Sequence, residues 1–257
     1  MNPASRVDQK REALAIEFKS VSKSFGPRTV LKEISFSIAA GTAFVLLGRS
    51  GTGKSVTLKL ICGLLKADSG AVIVNGEDIT AFDSNQLSKV RMHIGFLFQS
   101  AALFDSLSVG ENVAFPLRRH TQKTDAEIRD QAVALLERVG LGKEYYTMPG
   151  DLSGGMRKRA GLARALAVEP SILLVDEPSA GLDPLTSTEI DHLLIDIKTN
   201  QHTTLVVVTH NMQSARRLAD QMAFLDGGRL LAQGTVEELE HSEHQLVRDF
   251  MTSQQAG

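Results

Sequence analysis

Apolar residues are spaced along this chain in three successive patterns. Over residues 14–40, Ala15, Phe18 and Val21, then Ile34, Phe36 and Ile38, read as half-buried strands. Ala71-Val72-Ile73-Val74 followed by Asn75-Gly76 is a hairpin signal, because both turn residues tolerate a left-handed backbone. Together these segments predict an antiparallel layer. From Ser84 to about Ala167 the pattern is mostly helical. There Thr124 and Glu127 form a capping box, Ile128, Ala132, Leu135, Leu136 and Val139 make one apolar stripe, and Gly140 ends the helix. Four short apolar runs read as buried strands: Phe44–Leu47, Ile94–Phe98, Ile172–Val175 and Leu205–Val208. The helix Pro184–Lys198 between the last two restores a parallel βαβ pattern. Thr235 to Phe250 reads as helical, and no internal repeat or low-complexity segment interrupts the chain.

The chemistry sits where these patterns change. Gly48-Arg49-Ser50-Gly51-Thr52-Gly53-Lys54-Ser55 follows the run Phe44–Leu47 and precedes a helical repeat of Leu58, Ile61, Leu64 and Leu65. It matches the phosphate-binding loop G-x-x-x-x-G-K-[ST]. The glycines let successive N–H groups turn inward onto phosphate oxygens, and the helix N-terminus adds its free donors. Lys54 supplies a point charge for the β- and γ-phosphates, and Ser55 offers a hydroxyl to Mg²⁺. A second glycine-rich helix start, Leu152-Ser153-Gly154-Gly155-Met156, has Ser153 as its cap. One bound nucleotide needs only one such end. Head-to-tail pairing of two copies would place each Ser153 loop over the other copy's Lys54 loop.

Asp176 and Glu177 close the strand that begins at Ser171. At that strand end an Asp holds Mg²⁺ and the adjacent Glu accepts the proton of an attacking water. Asp183 and Pro184 read as the cap and first position of the next helix. Gln99, after the strand Ile94–Phe98, and His210, after Leu205–Thr209, emerge beyond strand ends, where open parallel sheets place their ligands. Gln99 reaches Mg²⁺ or the attacking water. Leu103 and Phe104, in the segment after Gln99, are either core or the lining of a groove for a membrane partner.

As an ordered set, Gly48–Ser55, Gln99, Leu152–Met156, Asp176-Glu177, Asp183 and His210 resemble the ATPase subunit of an ABC transporter, from about Ile16 to the C-terminal helix. The resemblance implies an α/β fold: a P-loop ATPase core with a mostly parallel sheet, an N-terminal antiparallel β layer and a helical subdomain. It implies a polar tail over 1–13, a nucleotide-binding domain over 14–240 with its helical subdomain at about 100–167, and a C-terminal helix and tail over 241–257. ATP and Mg²⁺ are the implied cofactors. Phe25 would stack on adenine, and Gly48, Arg49, Ser50, Gly51, Thr52, Gly53, Lys54, Ser55 and Val56 would hold the phosphates. Ser55, Gln99 and Asp176 would hold the metal, with Glu177, His210 and Gln99 as catalytic residues. Ser153, Gly154, Gly155, Met156 and Asp183 would contact the ATP of the opposite subunit. Phe25 stands where the family more often has tyrosine, Met156 where it has glutamine, and Val56 where it has threonine, so Val56 forgoes a phosphate contact.

Phe98-Gln99-Ser100-Ala101-Ala102-Leu103-Phe104-Asp105 and Glu111-Asn112-Val113-Ala114-Phe115-Pro116-Leu117-Arg118 narrow the resemblance to the ATPase of MCE-associated phospholipid transporters, the maintenance-of-lipid-asymmetry type. That resemblance implies a homodimer on integral membrane permease subunits with an MCE-type lipid-binding protein, peripheral on the cytoplasmic face of the inner membrane. An ABC transporter ATPase for another substrate, or a soluble ABC-class ATPase, are the alternatives.

Composition adds exclusions. The 257 residues are 42% hydrophobic, enough for one large domain or a core with a lobe. A net charge of −2 offers no field for nucleic acid, and Arg157-Lys158-Arg159 reads as a solvated helix face. Cys62 is the only cysteine and falls on the apolar side of the phosphate-loop helix. No run approaches the roughly 20 apolar residues of a membrane span, and Met1 to Arg11 is too polar for a signal core. His241 and His244 lack a third metal ligand and read as surface. A soluble ABC-type ATPase would be expected to show heptads or tandem cassettes. A GTPase would need an Asn-Lys-x-Asp segment, and neither feature is present.

Overall fold

The computed structural model describes residues 13–252; the polar tail to residue 12 and residues 253–257 lie outside the described residues. Two sheets organise the chain. The first has the order β2-β1-β4-β5 and is antiparallel throughout. Its strands are β1 (Leu14–Phe25), β2 (Arg28–Ala39), β4 (Ser69–Val74) and β5 (Glu77–Asp78). Asn75 and Gly76 turn between β4 and β5 with φ of 49° and 82°, the two left-handed residues that a primed hairpin turn requires.

In β1 the irregular spacing of Ala15, Phe18 and Val21 has a structural cause. Pairing with β2 shifts register between Leu14 and Ile16 and again between Phe18 and Val21. Each bulge reverses which side chains face inward, so all three residues are buried although they do not alternate.

The second sheet has the order β10-β9-β3-β8-β7-β6. It comprises β3 (Ala43–Leu47), β6 (Ile94–Leu97), β7 (Ile172–Asp176), β8 (Thr204–Val208), β9 (Gln221–Asp226) and β10 (Arg229–Gly234). All pairs are parallel except β9 with β10. Strands β9 and β10 carried no assignment from the sequence pattern.

Alternate residues of the central strands feed two different cores. Val45, Leu47, Leu173, Val175, Leu205 and Val207 pack under the helical layer. Phe44, Leu46, Ile172, Leu174, Val206 and Val208 pack under the antiparallel sheet. The helices of the first group are α3 (Val109–His120), α4 (Asp125–Arg138), α5 (Gly154–Ala165), α6 (Pro184–Gln201) and α7 (Met212–Leu218). Those of the second are α1 (Lys54–Ile61) and α2 (Ser84–Arg91).

Two expectations need correction. The phosphate-loop helix stops at Ile61, because Gly63 takes a left-handed φ of 64°; Leu64 is then 51% exposed instead of joining the apolar stripe. The stretch from Thr235 to Phe250 is two helices, α8 (Val236–Glu240) and α9 (Gln245–Thr252). Among the described residues no helix is long and apolar enough to cross a membrane.

Candidate nucleotide site

Fully buried β3 delivers the chain to Gly48, where a Cβ would stand 2.2 Å from the carbonyl oxygen of Leu225 in β9. Only glycine allows the loop to leave the sheet so close to its neighbour. Gly51 and Gly53 follow with φ of 77° and 110°, and Gly53 caps α1 through its backbone. The loop's donors and the start of α1 thus surround one concavity, an anion cradle built from peptide groups.

Lys54, the first residue of α1, is 7% exposed and donates to the carbonyls of Gly48 (2.8 Å) and Arg49 (3.0 Å). Burial lowers its pKa, while the carboxylates of Glu177 and Asp176 act in the opposite direction and favour the charge. Ser55 donates its hydroxyl to Asp176 at 3.0 Å, joining the helix start to the end of β7. Burial raises the pKa of Asp176, Glu177 adds to the rise, and the Ser55 hydroxyl and the nearby lysines oppose it.

Glu177 leaves β7 with a left-handed φ of 49°. Its carboxylate lies 3.0 Å from His210 Nδ1 and accepts from the Thr209 hydroxyl at 3.3 Å. Because β7 and β8 are adjacent and parallel, their carboxyl ends bring Asp176, Glu177 and His210 together.

A cleft of about 600 Å³ is lined by Phe25, Arg49, Ser50, Gly51, Gly53, Lys54, Ser55, Val56, Gln99, Glu177 and His210. The same lining includes Arg28 and Val30 of β2, which the sequence pattern did not single out. Phe25 is 46% exposed, with the Lys23 ammonium 5.5 Å from its ring centre. Thr52 folds its hydroxyl back onto the Arg49 carbonyl at 2.9 Å. Gln99 also borders a second cleft, shared with Asp176, Ala180 and Gly181.

The donor set fits a nucleotide and a hard divalent cation. A peptide cradle that leaves no room for side chains suits phosphates. A hydroxyl, a carboxylate and an amide oxygen suit Mg²⁺, which takes few protein ligands and completes its shell with phosphates and water. Among the described residues no group of three His, Cys, Asp or Glu side chains offers an all-protein metal cage. His241 and His244 are exposed, and His241 Nδ1 lies 2.9 Å from the carbonyl of Glu237.

Ser153–Met156 and Asp183 stand apart from this lining. Ser153 caps α5 by accepting from the Met156 amide at 3.2 Å, and Asp183 caps α6 by accepting from the Thr186 amide at 3.0 Å. The Thr186 hydroxyl and amide hold the Asp183 carboxyl below the usual aspartate range. A Cβ on buried Gly155 would meet the Thr186 methyl at 2.5 Å, so the two helix starts pack closely.

The segment after Gln99 is pinned by side chains. Arg164 of α5 donates to the carbonyls of Ala101 (2.8 Å) and Ala102 (2.7 Å), whose φ values are 62° and 49°. Buried Asn112 accepts from the Phe104 amide at 2.8 Å and donates to the Phe104 carbonyl at 3.1 Å. Leu103 packs on the helical-side core, whereas Phe104 is 45% exposed with its ring 5.0 Å from that of Phe115. Leu103 thus follows the core alternative, and Phe104 does not.

The basic run at 157–159 is not a solvated face. Lys158 is 5% exposed and donates to the backbone carbonyl of Glu177 at 2.7 Å. Burial lowers its pKa, opposed by the charges of Glu177 and Asp176. Arg157 and Arg159 are half-buried and bond the carbonyls of Leu152 and Val139. The signal for Lys158 was available in the helical period, because Gly155, Lys158 and Leu162 fall on one buried face of α5.

Comparison with known proteins agrees with this geometry. Residues 31–180 match a family profile described as ABC transporter. The probable ribonucleotide transport ATP-binding protein mkl of Mycobacterium leprae is 44% identical over 244 residues, covering 95% of this chain and 70% of that protein. The methionine import ATP-binding protein MetN 1 of Pseudomonas fluorescens is 40% identical over 241 residues, covering 92% of this chain and 72% of that protein. Among solved structures, a dimeric ATP-binding cassette in a post-hydrolysis state with ADP and Pi superposes with a TM-score of 0.80 at 32% identity. That match covers 86% of this chain and 98% of the other.

Proposed function

This chain belongs to the ABC transporter family and is an ATPase, and we propose that it powers a phospholipid transporter of the bacterial envelope. In this reading Phe25 stacks on adenine and the loop Gly48–Val56 holds the phosphates, with Lys54 as their countercharge. Ser55, Gln99 and Asp176 hold Mg²⁺, which when bound supplies charge for the transferring phosphoryl group. Glu177 accepts a proton from water as the water oxygen bonds to the γ-phosphorus; the bond to the bridging oxygen breaks and ADP leaves with that electron pair. His210, 3.0 Å from the Glu177 carboxylate, orients it. The contact of Glu177 with His210, beside the Ser55–Asp176 hydrogen bond, is the observation that carries the assignment.

Ser153, Gly154, Gly155, Met156 and Asp183 complete the nucleotide site of a second copy, since they lie outside the cleft of their own chain. The homodimer sits peripherally on permease subunits at the cytoplasmic face of the inner membrane. Phe104, Phe115 and Pro116 line a concavity of about 450 Å³ that receives a short helix from the permease. An MCE-type lipid-binding protein as partner and phospholipid as cargo rest on the segments Phe98–Asp105 and Glu111–Arg118. The names of the relatives, ribonucleotide transport and methionine import, favour a second reading in which the same motor serves another cargo.

Glu177→Gln tests the chemistry. It keeps shape and hydrogen bonding but takes no proton, so turnover falls about 10²–10⁴-fold while ATP binding persists. Normal hydrolysis, or loss of ATP binding, contradicts the role of Glu177. Mass spectrometry of lipids that co-purify with the chain and its membrane subunits separates the two cargo readings.

A further inference from the structure

Glu177 occupies a backbone conformation that a residue with a side chain keeps only when its surroundings hold it there. Its peptide groups are gripped from both sides. The amide donates to the Val208 carbonyl at 2.8 Å, across to β8. The carbonyl accepts from the Ala180 amide at 3.2 Å and from the Lys158 ammonium at 2.7 Å. Of these partners only Lys158 is charged, and a charged donor makes the stronger bond. These bonds fix the direction of the Cα–Cβ bond of Glu177, and so aim its carboxylate at His210 and the cleft.

We propose that Lys158 is a positioning residue for ATP hydrolysis: its buried ammonium holds the strained peptide of Glu177 and keeps the carboxylate aimed at the attacking water. The inference rests on the reading of Glu177 as the base. It gives α5 a place in two sites at once. The Ser153 end of the helix meets the nucleotide bound by the second copy, while Lys158 holds the base of its own chain. Ser153 and Lys158 are five residues apart, about 7.5 Å along the axis at 1.5 Å per residue. A rigid turn and a half of helix thus ties the engagement of one nucleotide to the alignment of the base at the other.

Lys158→Met keeps the apolar stem and removes the ammonium. Its kcat falls about 10- to 100-fold, the scale of a misaligned catalytic group. Its KM for ATP and its binding of ATP stay within about twofold of wild type, because no ground-state contact is lost. Lys158→Arg, which restores a charged donor, returns the rate toward wild type. Placed in the Glu177→Gln background, Lys158→Met leaves the residual rate unchanged, since the group it aims is gone. A raised KM with kcat retained overturns the inference, as does the same fractional loss in the Glu177→Gln background. Full activity of Lys158→Met beside an inactive Glu177→Gln removes the positioning role alone, whereas full activity of Glu177→Gln removes the base assignment beneath it. If Lys158→Met does not fold, Lys158→Gln, a shorter neutral donor, is judged by the same split between kcat and KM.

Discussion

At Gly48 the backbone runs so close to β9 that a methyl group would overlap the Leu225 carbonyl, at 2.2 Å. Gly48→Ala therefore displaces the loop or the strand, and the expected result is a destabilisation of about 1–3 kcal/mol with weakened ATP binding. Thermal unfolding and nucleotide titration check both parts; wild-type values in each would show that the loop tolerates a Cβ. Lys54→Ala acts differently. It removes the phosphate countercharge and a buried charge together, so nucleotide binding is lost while the fold persists. Near-normal ATPase activity in that variant contradicts the site. The phosphate loop was legible in the sequence because its chemistry dictates both residue type and spacing. Lys158 was missed: three consecutive basic residues carry no period of their own, and only the helical spacing from Gly155 to Leu162 marks Lys158 as the inward one. Which of them is buried depends on the face that α5 turns to β7, as the bond from Lys158 to Glu177 shows.

Helix starts carry much of the local information in this chain. Thr124 with Glu127 was readable as a capping box, and the structure adds three more, at Asp83, Ser108 and Thr235. Glu111 and Glu127 reach back to the amides of Ser108 (2.9 Å) and Thr124 (2.8 Å). Those amides, and then the two hydroxyls, hold both carboxyls below the usual glutamate range. A carboxyl depressed in the folded state stabilises fully above its unfolded value, near pH 4.3, and loses that contribution as pH falls through the lower folded value. The melting temperature should therefore drop on acidification from about pH 5 to pH 3, and drop less steeply in the Glu111→Gln, Glu127→Gln double variant. Equal slopes contradict the caps as the source. The bulges of β1 were less legible, because a register shift is set by pairing with β2 and leaves only an uneven spacing in the sequence. At the segment after Gln99, Leu103 is core-facing and Phe104 exposed. Phe104→Glu should keep the melting temperature near wild type and abolish co-purification with the permease subunits. A large fall in stability would return Phe104 to the core.

Across the whole molecule, the two-sheet architecture was readable as far as it follows from buried strands alternating with helices. Strands β9 and β10 escaped: β9 follows the short helix α7 but lies beside β3 and not beside its chain predecessor β8, and β10 turns back onto β9 as an antiparallel edge strand, outside the βαβ rhythm. The separation of the two glycine-rich helix starts is the feature with the largest consequence. One lines the cleft with Lys54, and the other, at Ser153, does not. If two copies share their sites head to tail, each site needs Lys54 from one chain and Ser153 from the other. Lys54→Ala and Ser153→Arg should then each be inactive alone, for different reasons. A mixed dimer of the two retains one intact site, formed by the Lys54 loop of one chain and the Ser153 helix of the other. The decisive measurement is the ATPase rate of the two variants mixed in equal amounts. Shared sites predict recovery to about a quarter of the wild-type rate, because half of the dimers are mixed and each carries one working site of two. A mixture as inactive as its components, or Ser153→Arg hydrolysing at the wild-type rate alone, would contradict the account.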